Sequence, residues 1–186
     1  MVTTMELEWI VALQRAVHAS PMLQAVAVIS ARYLIFLNIA LVAWLFFHKG
    51  RLRHFASESA WAFGLAVVIT QIVSLLTKRP RPFLASSEIQ ALIPLPWNAS
   101  YPSGHTSTSF ALACILLYAD WRVGVISMLI ALLTALGRVA VGVHYPTDIL
   151  GGLIVGFVAF AMVRAAHEQL YTRRMEKTAR AHRHED

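Results

Sequence analysis

The chain has 186 residues, of which 58% are hydrophobic and only 14% charged, and its formal net charge is +6. A chain this short and this apolar excludes an ordinary soluble domain and predicts one integral membrane domain over residues 1–186. Its one cysteine, Cys114, excludes an internal disulfide and a cysteine-based metal site.

The N-terminal segment is predicted to be an amphipathic helix. Residues 5–17 mix Trp, Leu and Val with charged side chains, a pattern typical of a helix that lies at the membrane interface. Acidic Glu6 and Glu8 stand where a signal peptide would need basic residues, so we expect no cleavage.

Long apolar segments predict five membrane crossings, since a helix needs about 20 apolar residues to cross a bilayer. They lie near residues 22–47, 57–77, 106–120, 123–141 and 147–166. The third is short and ends in a polar turn at 119–122. The predicted fold class is therefore all-α, a polytopic membrane helix bundle. Arg32 in the first crossing should face a partner or a polar cavity, and Gly152 and Gly156 in the last should permit close helix contact.

The distribution of basic residues predicts the orientation. Alternating the crossings puts the loops at 78–105 and 138–146 on one side, and the loop at 48–56, the turn at 120–122 and the tail on the other. The second side carries most of the sixteen basic residues, namely Lys49, Arg51, Arg53, Arg122, Arg164, Arg173, Arg174, Lys177, Arg180 and Arg183. The positive-inside rule assigns that side, with the basic tail at about 168–186, to the cytoplasm.

Three polar clusters interrupt the apolar sequence, all on the predicted outer face. They are Lys78-Arg79-Pro80-Arg81-Pro82, Tyr101-Pro102-Ser103-Gly104-His105, and Arg138 with His144 and Asp148. Charged groups this close to lipid are costly, which indicates a functional site. Their mixture of cations, imidazoles and a carboxylate is suited to phosphate.

The arginines of the first and third clusters are candidate phosphate ligands. Phosphoryl transfer needs positive charge around the equatorial oxygens of phosphorus. Arg81 and Arg138 are the best candidates, since a guanidinium matches phosphate geometry with two parallel hydrogen bonds. Lys78 and Arg79 either add positive charge or serve as snorkelling anchors at a helix end.

The second and third clusters are each predicted to open a helix. Ser103 and Gly104 precede an apolar run, and free backbone N–H groups at such a helix N-terminus bind anions. Ser103 would add a hydroxyl donor or serve as an ordinary helix cap. Pro146 should be a first helical residue, which brings Asp148 within reach of the His144 ring. A carboxylate on one ring nitrogen fixes the tautomer and leaves the other nitrogen free to attack.

These residues resemble the three-part signature of the type 2 phosphatidic acid phosphatase superfamily of membrane phosphatases. The match in type, order and spacing comprises Arg81-Pro82, Pro102-Ser103-Gly104-His105, Arg138, His144 and Asp148. The resemblance covers about residues 70–160. Two positions depart from it, because the signature lysine falls at Ser74 and the serine before Arg138 is Gly137. Lys78, one helical turn on, is the candidate substitute for the lysine.

The resemblance implies a role for each matched residue. His144 would be the nucleophile that forms a phosphohistidine, Asp148 its orienting carboxylate, and His105 the acid that protonates the leaving group. The implied phosphate ligands are Arg81, Ser103, Gly104 and Arg138. No cofactor or metal is implied; His105, His144 and Asp148 are good metal ligands, but the nearby cationic side chains would repel a divalent ion.

The short length, the run at 79–83 and the stretch Ile93-Pro94-Leu95-Pro96-Trp97 resemble the bacterial undecaprenyl diphosphate phosphatases of this superfamily. These cut the diphosphate of the polyprenyl carrier of cell-wall synthesis to a monophosphate. The resemblance implies a multi-pass protein of the bacterial inner membrane, with a membrane lipid as substrate and no nucleic-acid partner. The distribution of basic residues predicts that its site faces outward.

Two alternatives stay open. One is a phosphatidylglycerophosphate or phosphatidate phosphatase with the same residues, and the other is a transporter or binding protein for a lipid phosphate. The His144 and Asp148 pair favours an enzyme, because a binding protein has no use for an oriented nucleophile. The glycosylation sequon at Asn98-Ala99-Ser100 is interpreted as a chance match in a bacterial-looking protein.

Overall fold

A computed structural model of the chain describes residues 4–48, 53–96 and 98–182. Within these ranges every regular element is a helix, as the all-α expectation requires. The helices are α1 (Thr4–His18), α2 (Pro21–Arg32), α3 (Leu34–His48), α4 (Arg53–Thr77), α5 (Pro82–Ala85), α6 (Gly104–Ala119), α7 (Trp121–Ala140) and α8 (Pro146–His182). Trp97 of the stretch at 93–97, and Lys49, Arg51 and Arg183 of the charge count, lie outside the described residues.

The five predicted crossing segments are all helical, but they differ in how well they suit a membrane. The segments His54–Ala85, Trp121–Ala140 and Pro146–Arg173 are long and apolar enough to cross, and α2 with α3 would make a fourth crossing if taken as one bent span. Helix α6 has only 16 residues, about 24 Å at 1.5 Å per residue. It packs against α4, α7 and α8, so the third predicted crossing is an interior helix that is shorter than a full span.

The first predicted crossing, 22–47, is not one continuous helix, which corrects the expectation. Helix α2 ends at Arg32 and α3 begins at Leu34, with a bend of 49° between them. The carbonyl of Ala31 accepts a hydrogen bond of 3.3 Å from Nη1 of Arg138. A side chain that bonds a helix carbonyl is a recognised cause of a kink, and here the partner is too distant in sequence to predict.

The polar turn predicted at 119–122 is confirmed. Helix α6 ends at Ala119, and α7 begins two residues later at Trp121. Asp120 lies between them, and its carboxylate accepts the backbone N–H of Arg122 at 3.1 Å. A carboxylate in this N-cap position satisfies a free donor of the helix and so sets the start of α7.

The predicted close contact at Gly152 and Gly156 is also confirmed. A Cβ on Gly156 would lie 2.6 Å from the carbonyl oxygen of Ser107, and one on Gly152 would lie 2.8 Å from Cβ of Thr106. Only glycine allows α8 to approach α6 this closely. The approach brings the first turns of these two helices together, where the backbone N–H of Ser103 donates to the carbonyl of Asp148 at 3.0 Å.

Helix α1 lies against the loops at the same end of the bundle. Its buried residues are Ile10, Gln14 and Val17. The Gln14 side chain donates to the carbonyl of Gln90 at 2.7 Å and accepts from its N–H at 3.0 Å. Gly142, at a φ of 76°, lies beside it, since a Cβ there would be 2.6 Å from Nε2 of Gln14. The predicted amphipathic helix is therefore present, and its buried face covers the end of the bundle that holds the three polar clusters.

Candidate active site

The three polar clusters converge on one end of the bundle. The first follows the C-terminus of α4, the second opens α6, and the third joins the end of α7 to the start of α8. The backbone connects them, because the N–H of Ser100 donates to the carbonyl of Arg79 at 2.8 Å and that of Ser103 to Asp148 at 3.0 Å. Side chains more than sixty residues apart in sequence therefore form one polar centre.

His144 and Asp148 form a buried pair at this centre. Nδ1 of His144 lies 3.4 Å from Oδ2 of Asp148, and the side chains are 3% and 0% exposed. Pro146 begins α8, which places Asp148 in its first turn. The same carboxylate oxygen accepts the N–H of Tyr145 at 2.9 Å and the hydroxyl of Ser100. These donors fix the carboxylate, which can only accept, so Nδ1 carries the ring proton and Nε2 keeps its lone pair.

Two arginines face Nε2 of His144. Nη1 of Arg81 lies 3.3 Å and Nη2 of Arg138 lies 3.5 Å from Nε2 of His144. Both arginines are buried. A group bonded to Nε2 would therefore lie close to both guanidinium groups. This is the arrangement that a phosphoryl group needs for its non-bridging oxygens.

Arg81 is held rigidly in place by its neighbours. Its Nη2 donates to Oδ1 of Asn98 at 2.7 Å and its Nε to the carbonyl of Asn98 at 3.0 Å. Its Nη1, which also faces His144, donates to the carbonyl of Val143 at 2.7 Å. These contacts orient the guanidinium before any ligand arrives, which reduces the entropy lost on binding.

Arg138 retains unused donor capacity. Its Nη1 donates to the carbonyl of Ala31 at 3.3 Å, while its Nε is buried and has no hydrogen-bond partner among the described residues. An unpaired buried donor is costly. A phosphate oxygen would satisfy it.

The charge around His144 is suited to an anion. Among the described residues neither Arg81 nor Arg138 forms an ion pair with a carboxylate. Burial and the positive charges of Arg138 and Arg81 together lower the pKa of His144 to about 4, although the hydrogen bond to Asp148 acts in the opposite direction. The ring is therefore neutral near pH 7, which is the form that can attack phosphorus.

Arg79 is engaged by carboxylates. Its Nη1 lies 2.6 Å from Oδ1 of Asp148, and its Nη2 lies 2.9 Å from Oε2 of Glu6 in α1. The guanidinium also lies over the Tyr145 ring, with Cζ 4.0 Å from its centroid. Thr147 donates its hydroxyl to Glu6 at 2.6 Å. The structure thus places Arg79 behind Asp148, on the side away from Nδ1 of His144.

Lys78 lies at the edge of the site. It is exposed, has a φ of 46°, and follows the end of α4. Within the described part of the chain its ammonium makes no ion pair or hydrogen bond, whereas Ser74, one turn earlier, is buried. The structure does not bring Lys78 into contact with Arg81 or Arg138, and its substitution for the signature lysine stays a prediction.

Ser103 and Gly104 open α6 as predicted. Ser103 is the N-cap residue, but its side chain makes no capping hydrogen bond and instead accepts from Oγ1 of Thr106 at 3.0 Å. A Cβ on Gly104 would meet nothing nearer than Cγ2 of Thr70, at 3.5 Å. The protein's own atoms therefore do not require glycine at 104. His105 follows, and it lines a cavity of about 480 Å³ together with Arg138.

Four supporting residues were not predicted from the sequence. Asn98 and Ser100 belong to the sequon that was interpreted as chance, yet they hold Arg81 and Asp148. The position of Asn98 and Ser100, polar residues directly before the second cluster, was the feature of the sequence that could have indicated their role. Glu6 and Thr147 have no local signal, because the contacts of Glu6 to Arg79 and Thr147 join residues 73 and 141 positions apart.

The described residues contain no group of three or more His, Cys, Asp or Glu side chains placed to hold a metal ion. His144 and Asp148 approach each other, but the other charged partners nearest to them are the guanidinium groups of Arg79, Arg81 and Arg138.

Comparison with known proteins identifies the family to which this fold belongs. The PAP2 superfamily model matches residues 55–171. Undecaprenyl-diphosphatase BcrC of Bacillus subtilis (strain 168) is 33% identical over 144 residues, which cover 76% of this chain and 73% of that protein.

Two crystal structures share the fold. Aquifex aeolicus LpxE superposes with a TM-score of 0.71 at 24% identity, covering 88% of this chain and 96% of that one. The first transmembrane PAP2 type phosphatidylglycerolphosphate phosphatase from Bacillus subtilis gives a TM-score of 0.64 at 23% identity, covering 90% and 88%. Because the family match extends over more than half of its length, this chain belongs to the PAP2 superfamily of membrane phosphatases.

Proposed function

We propose that this chain hydrolyses a polyprenyl diphosphate, converting undecaprenyl diphosphate to the monophosphate and phosphate through a phosphohistidine at His144. The observation that carries the proposal is the position of Nε2 of His144 between Arg81 and Arg138, with Nδ1 held by Asp148. The relative named undecaprenyl-diphosphatase supports the choice of substrate.

In the first step Nε2 of His144 attacks the terminal phosphorus of the lipid diphosphate. Burial and the positive charges of Arg138, His144 and Arg81 lower the pKa of His105 to about 3 in the free protein, so His105 takes up its proton when the anionic diphosphate binds. The N–P bond then forms while the bond from phosphorus to the bridging oxygen breaks, and His105 donates that proton to the bridging oxygen. Asp148 stabilises the positive charge that develops on the His144 ring. Arg81, Arg138, the Ser103 hydroxyl and the backbone N–H of Gly104 bind the non-bridging oxygens.

In the second step water attacks phosphorus and the N–P bond breaks, which releases phosphate and restores neutral His144. His105, left neutral by the first step, accepts the proton of that water, as microscopic reversibility expects of one acid–base group. The charge neutralisation in both steps comes from Arg81 and Arg138, so the scheme requires no divalent metal ion.

The proposed site faces outward from a bacterial inner membrane, with the C-terminus in the cytoplasm. The charge distribution of the sequence supports this orientation, since ten of its sixteen basic residues are predicted to lie on the opposite side from the clusters. A lipid tail could remain in the bilayer while its headgroup enters the cavity beside His105.

A phosphatidylglycerophosphate phosphatase is the second candidate. A solved structure described as such a phosphatase has the same fold. A transporter or binding protein for a lipid phosphate is the non-enzymatic candidate, but the His144 and Asp148 pair gives it no support.

Phosphate release by the detergent-purified protein tests the proposal. Undecaprenyl diphosphate and phosphatidylglycerophosphate are assayed side by side, with and without chelator, and with His144→Ala as control. We expect faster cleavage of the polyprenyl substrate, no effect of chelator, and no turnover by His144→Ala. Faster cleavage of the glycerolipid would overturn the substrate, and turnover by His144→Ala would overturn the mechanism.

A further inference from the structure

The cavity beside the proposed nucleophile has a second arginine that the phosphohistidine scheme does not use. The cavity has a volume of about 480 Å³, and Arg32, Tyr33, Phe36, Pro94, His105 and Arg138 all contribute to its lining. Arg138 is buried and His105 half-buried, whereas Arg32, Tyr33 and Phe36 are exposed. The cavity therefore has a buried end at Arg138 and an open end at Arg32.

Arg32 is positioned there by the break between α2 and α3. It is the last residue of α2, and the chain bends by 49° directly after it. The preceding residue, Ala31, accepts a hydrogen bond from Nη1 of Arg138. This hydrogen bond, which coincides with the break, links the backbone next to Arg32 to the guanidinium next to His144.

Arg32 has no carboxylate partner among the described residues. Its guanidinium lies near the Tyr33 ring, whose centroid is 5.4 Å from Cζ of Arg32. An arginine within an apolar crossing segment is costly unless it faces a partner or a polar cavity. The cavity supplies that polar setting, and an anionic ligand in it would supply the missing counter-charge.

The order of residues along the cavity indicates which part of a substrate Arg32 would meet. The phosphoryl group that is transferred belongs at the buried end, where Arg138 faces Nε2 of His144. His105, the proposed donor to the leaving oxygen, lines the same cavity as Arg138 and Arg32. A leaving group that extends from His105 toward the open end would therefore pass Arg32.

We infer that Arg32 binds the phosphate that stays on the lipid and so makes the site selective for lipid diphosphates over lipid monophosphates. When a diphosphate is cleaved, the leaving group is itself a phosphate, with anionic oxygens for a guanidinium to bind. When a monophosphate is cleaved, the leaving group is an alcohol without such oxygens. The inference rests on the proposed function, because it takes the transferred phosphoryl group to lie at His144.

The two prenyl substrates farnesyl diphosphate and farnesyl monophosphate test it, since they share one tail and differ by one phosphate. The full chain in detergent is assayed as wild type, Arg32→Gln and Arg32→Lys, with Arg122→Gln as the matched loss of an arginine elsewhere. We expect Arg32→Gln to lower kcat/KM for the diphosphate about tenfold or more and to change that for the monophosphate less than about threefold. Arg122→Gln should change neither.

Inhibition by pyrophosphate and by inorganic phosphate gives a second readout that also reports on folding. In Arg32→Gln the inhibition constant of pyrophosphate should rise about tenfold, while that of phosphate stays within about twofold of wild type. If Arg32→Gln loses kcat/KM equally for both substrates, or leaves the inhibition constant of pyrophosphate unchanged, the inferred role of Arg32 is overturned and the proposed function stands. A wild-type protein that cleaves neither substrate would overturn the proposed function and the inference with it.

Discussion

Nη1 of Arg79 lies 2.6 Å from Oδ1 of Asp148, so the first polar cluster supports the carboxylate that orients the proposed nucleophile. The other oxygen of that carboxylate faces Nδ1 of His144 at 3.4 Å. Arg79 is in turn paired with Glu6 of α1. The N-terminal helix is thus connected to the proposed catalytic centre through the Arg79 guanidinium.

Replacing Arg79 with glutamine should act through Asp148. We expect kcat to fall about tenfold to a hundredfold while KM changes less than about threefold, because both Nη atoms of Arg79 are paired with the carboxylates of Asp148 and Glu6. Without that cation the full charge of Asp148 acts on the imidazole, so the pKa of His144 should rise. The acid limb of the kcat/KM profile should accordingly move to higher pH.

The control for this experiment is Arg79→Lys, which keeps the charge and should recover part of the loss. An increase in KM with kcat unchanged would indicate instead that Arg79 binds substrate phosphate, as the sequence alone allowed. An unshifted pH profile together with lowered activity would indicate a purely structural role.

The lowered pKa of His144 predicts activity in mildly acidic solution. Because that pKa is about 4, the nucleophile stays neutral well below the ordinary histidine value of about 6.5. We expect the acid limb of kcat/KM to lie below pH 6 in rate measurements between pH 4 and 8. A limb centred near 6.5 would contradict a buried, neutral His144.

The same pKa has a consequence for stability. The folded-state pKa is below the unfolded value, so unfolding takes up a proton between about pH 6.5 and pH 4, and stability falls as the pH is lowered through that window. Across this window the free energy of unfolding should fall by on the order of 3 kcal/mol because of His144. In His144→Gln, thermal unfolding should lose this part of its pH dependence, and an identical dependence in both proteins would contradict the assignment.

Gly104→Ala tests whether glycine at 104 is required for anion binding rather than for stability. The new Cβ would have an ordinary contact of 3.5 Å with Thr70, so the melting temperature should stay near that of wild type. We expect kcat/KM to fall about tenfold or more, because the methyl group would occupy space beside the anion-binding N–H groups. Gly156→Ala is the matched control, and it should lower the melting temperature, since its Cβ would meet Ser107 at 2.6 Å.

Asn98→Asp tests the orientation and charge of Arg81. The amide oxygen that now accepts from Nη2 at 2.7 Å would become a carboxylate and neutralise the guanidinium. We expect the inhibition constant of phosphate to rise about tenfold or more, with a smaller rise in Asn98→Ala. Equal inhibition constants of phosphate in wild type, Asn98→Asp and Asn98→Ala would show that Arg81 does not bind the anion.

Lys78→Ala tests the residue proposed to replace the signature lysine. A loss of kcat/KM of about tenfold or more is expected if Lys78 binds phosphate. Its exposed position, away from Arg81 and Arg138, favours a smaller loss. A loss of less than about tenfold would mean that Lys78 does not replace the signature lysine, whose position is occupied by Ser74.

The sequence predicted the parts of this protein that depend on local pattern. Apolar length gave the crossing segments, Pro146 gave the start of α8, and the spacing of His144 and Asp148 gave their contact. The break after Arg32 was not predictable, because it coincides with a hydrogen bond between Ala31 and Arg138, which are 107 positions apart. The network of Arg79, Glu6 and Thr147 likewise depends on how α1 docks.

The direct test of the phosphohistidine is a rapid-quench experiment with a polyprenyl diphosphate whose terminal phosphate is radiolabelled. After denaturation in alkali, which preserves a phosphorus–nitrogen bond, peptides are separated and sequenced by mass spectrometry. We expect the label on the peptide that contains His144, its loss on acidification, and neither label nor turnover in His144→Ala. Label on another residue, or undiminished turnover by His144→Ala, would contradict His144 as the nucleophile.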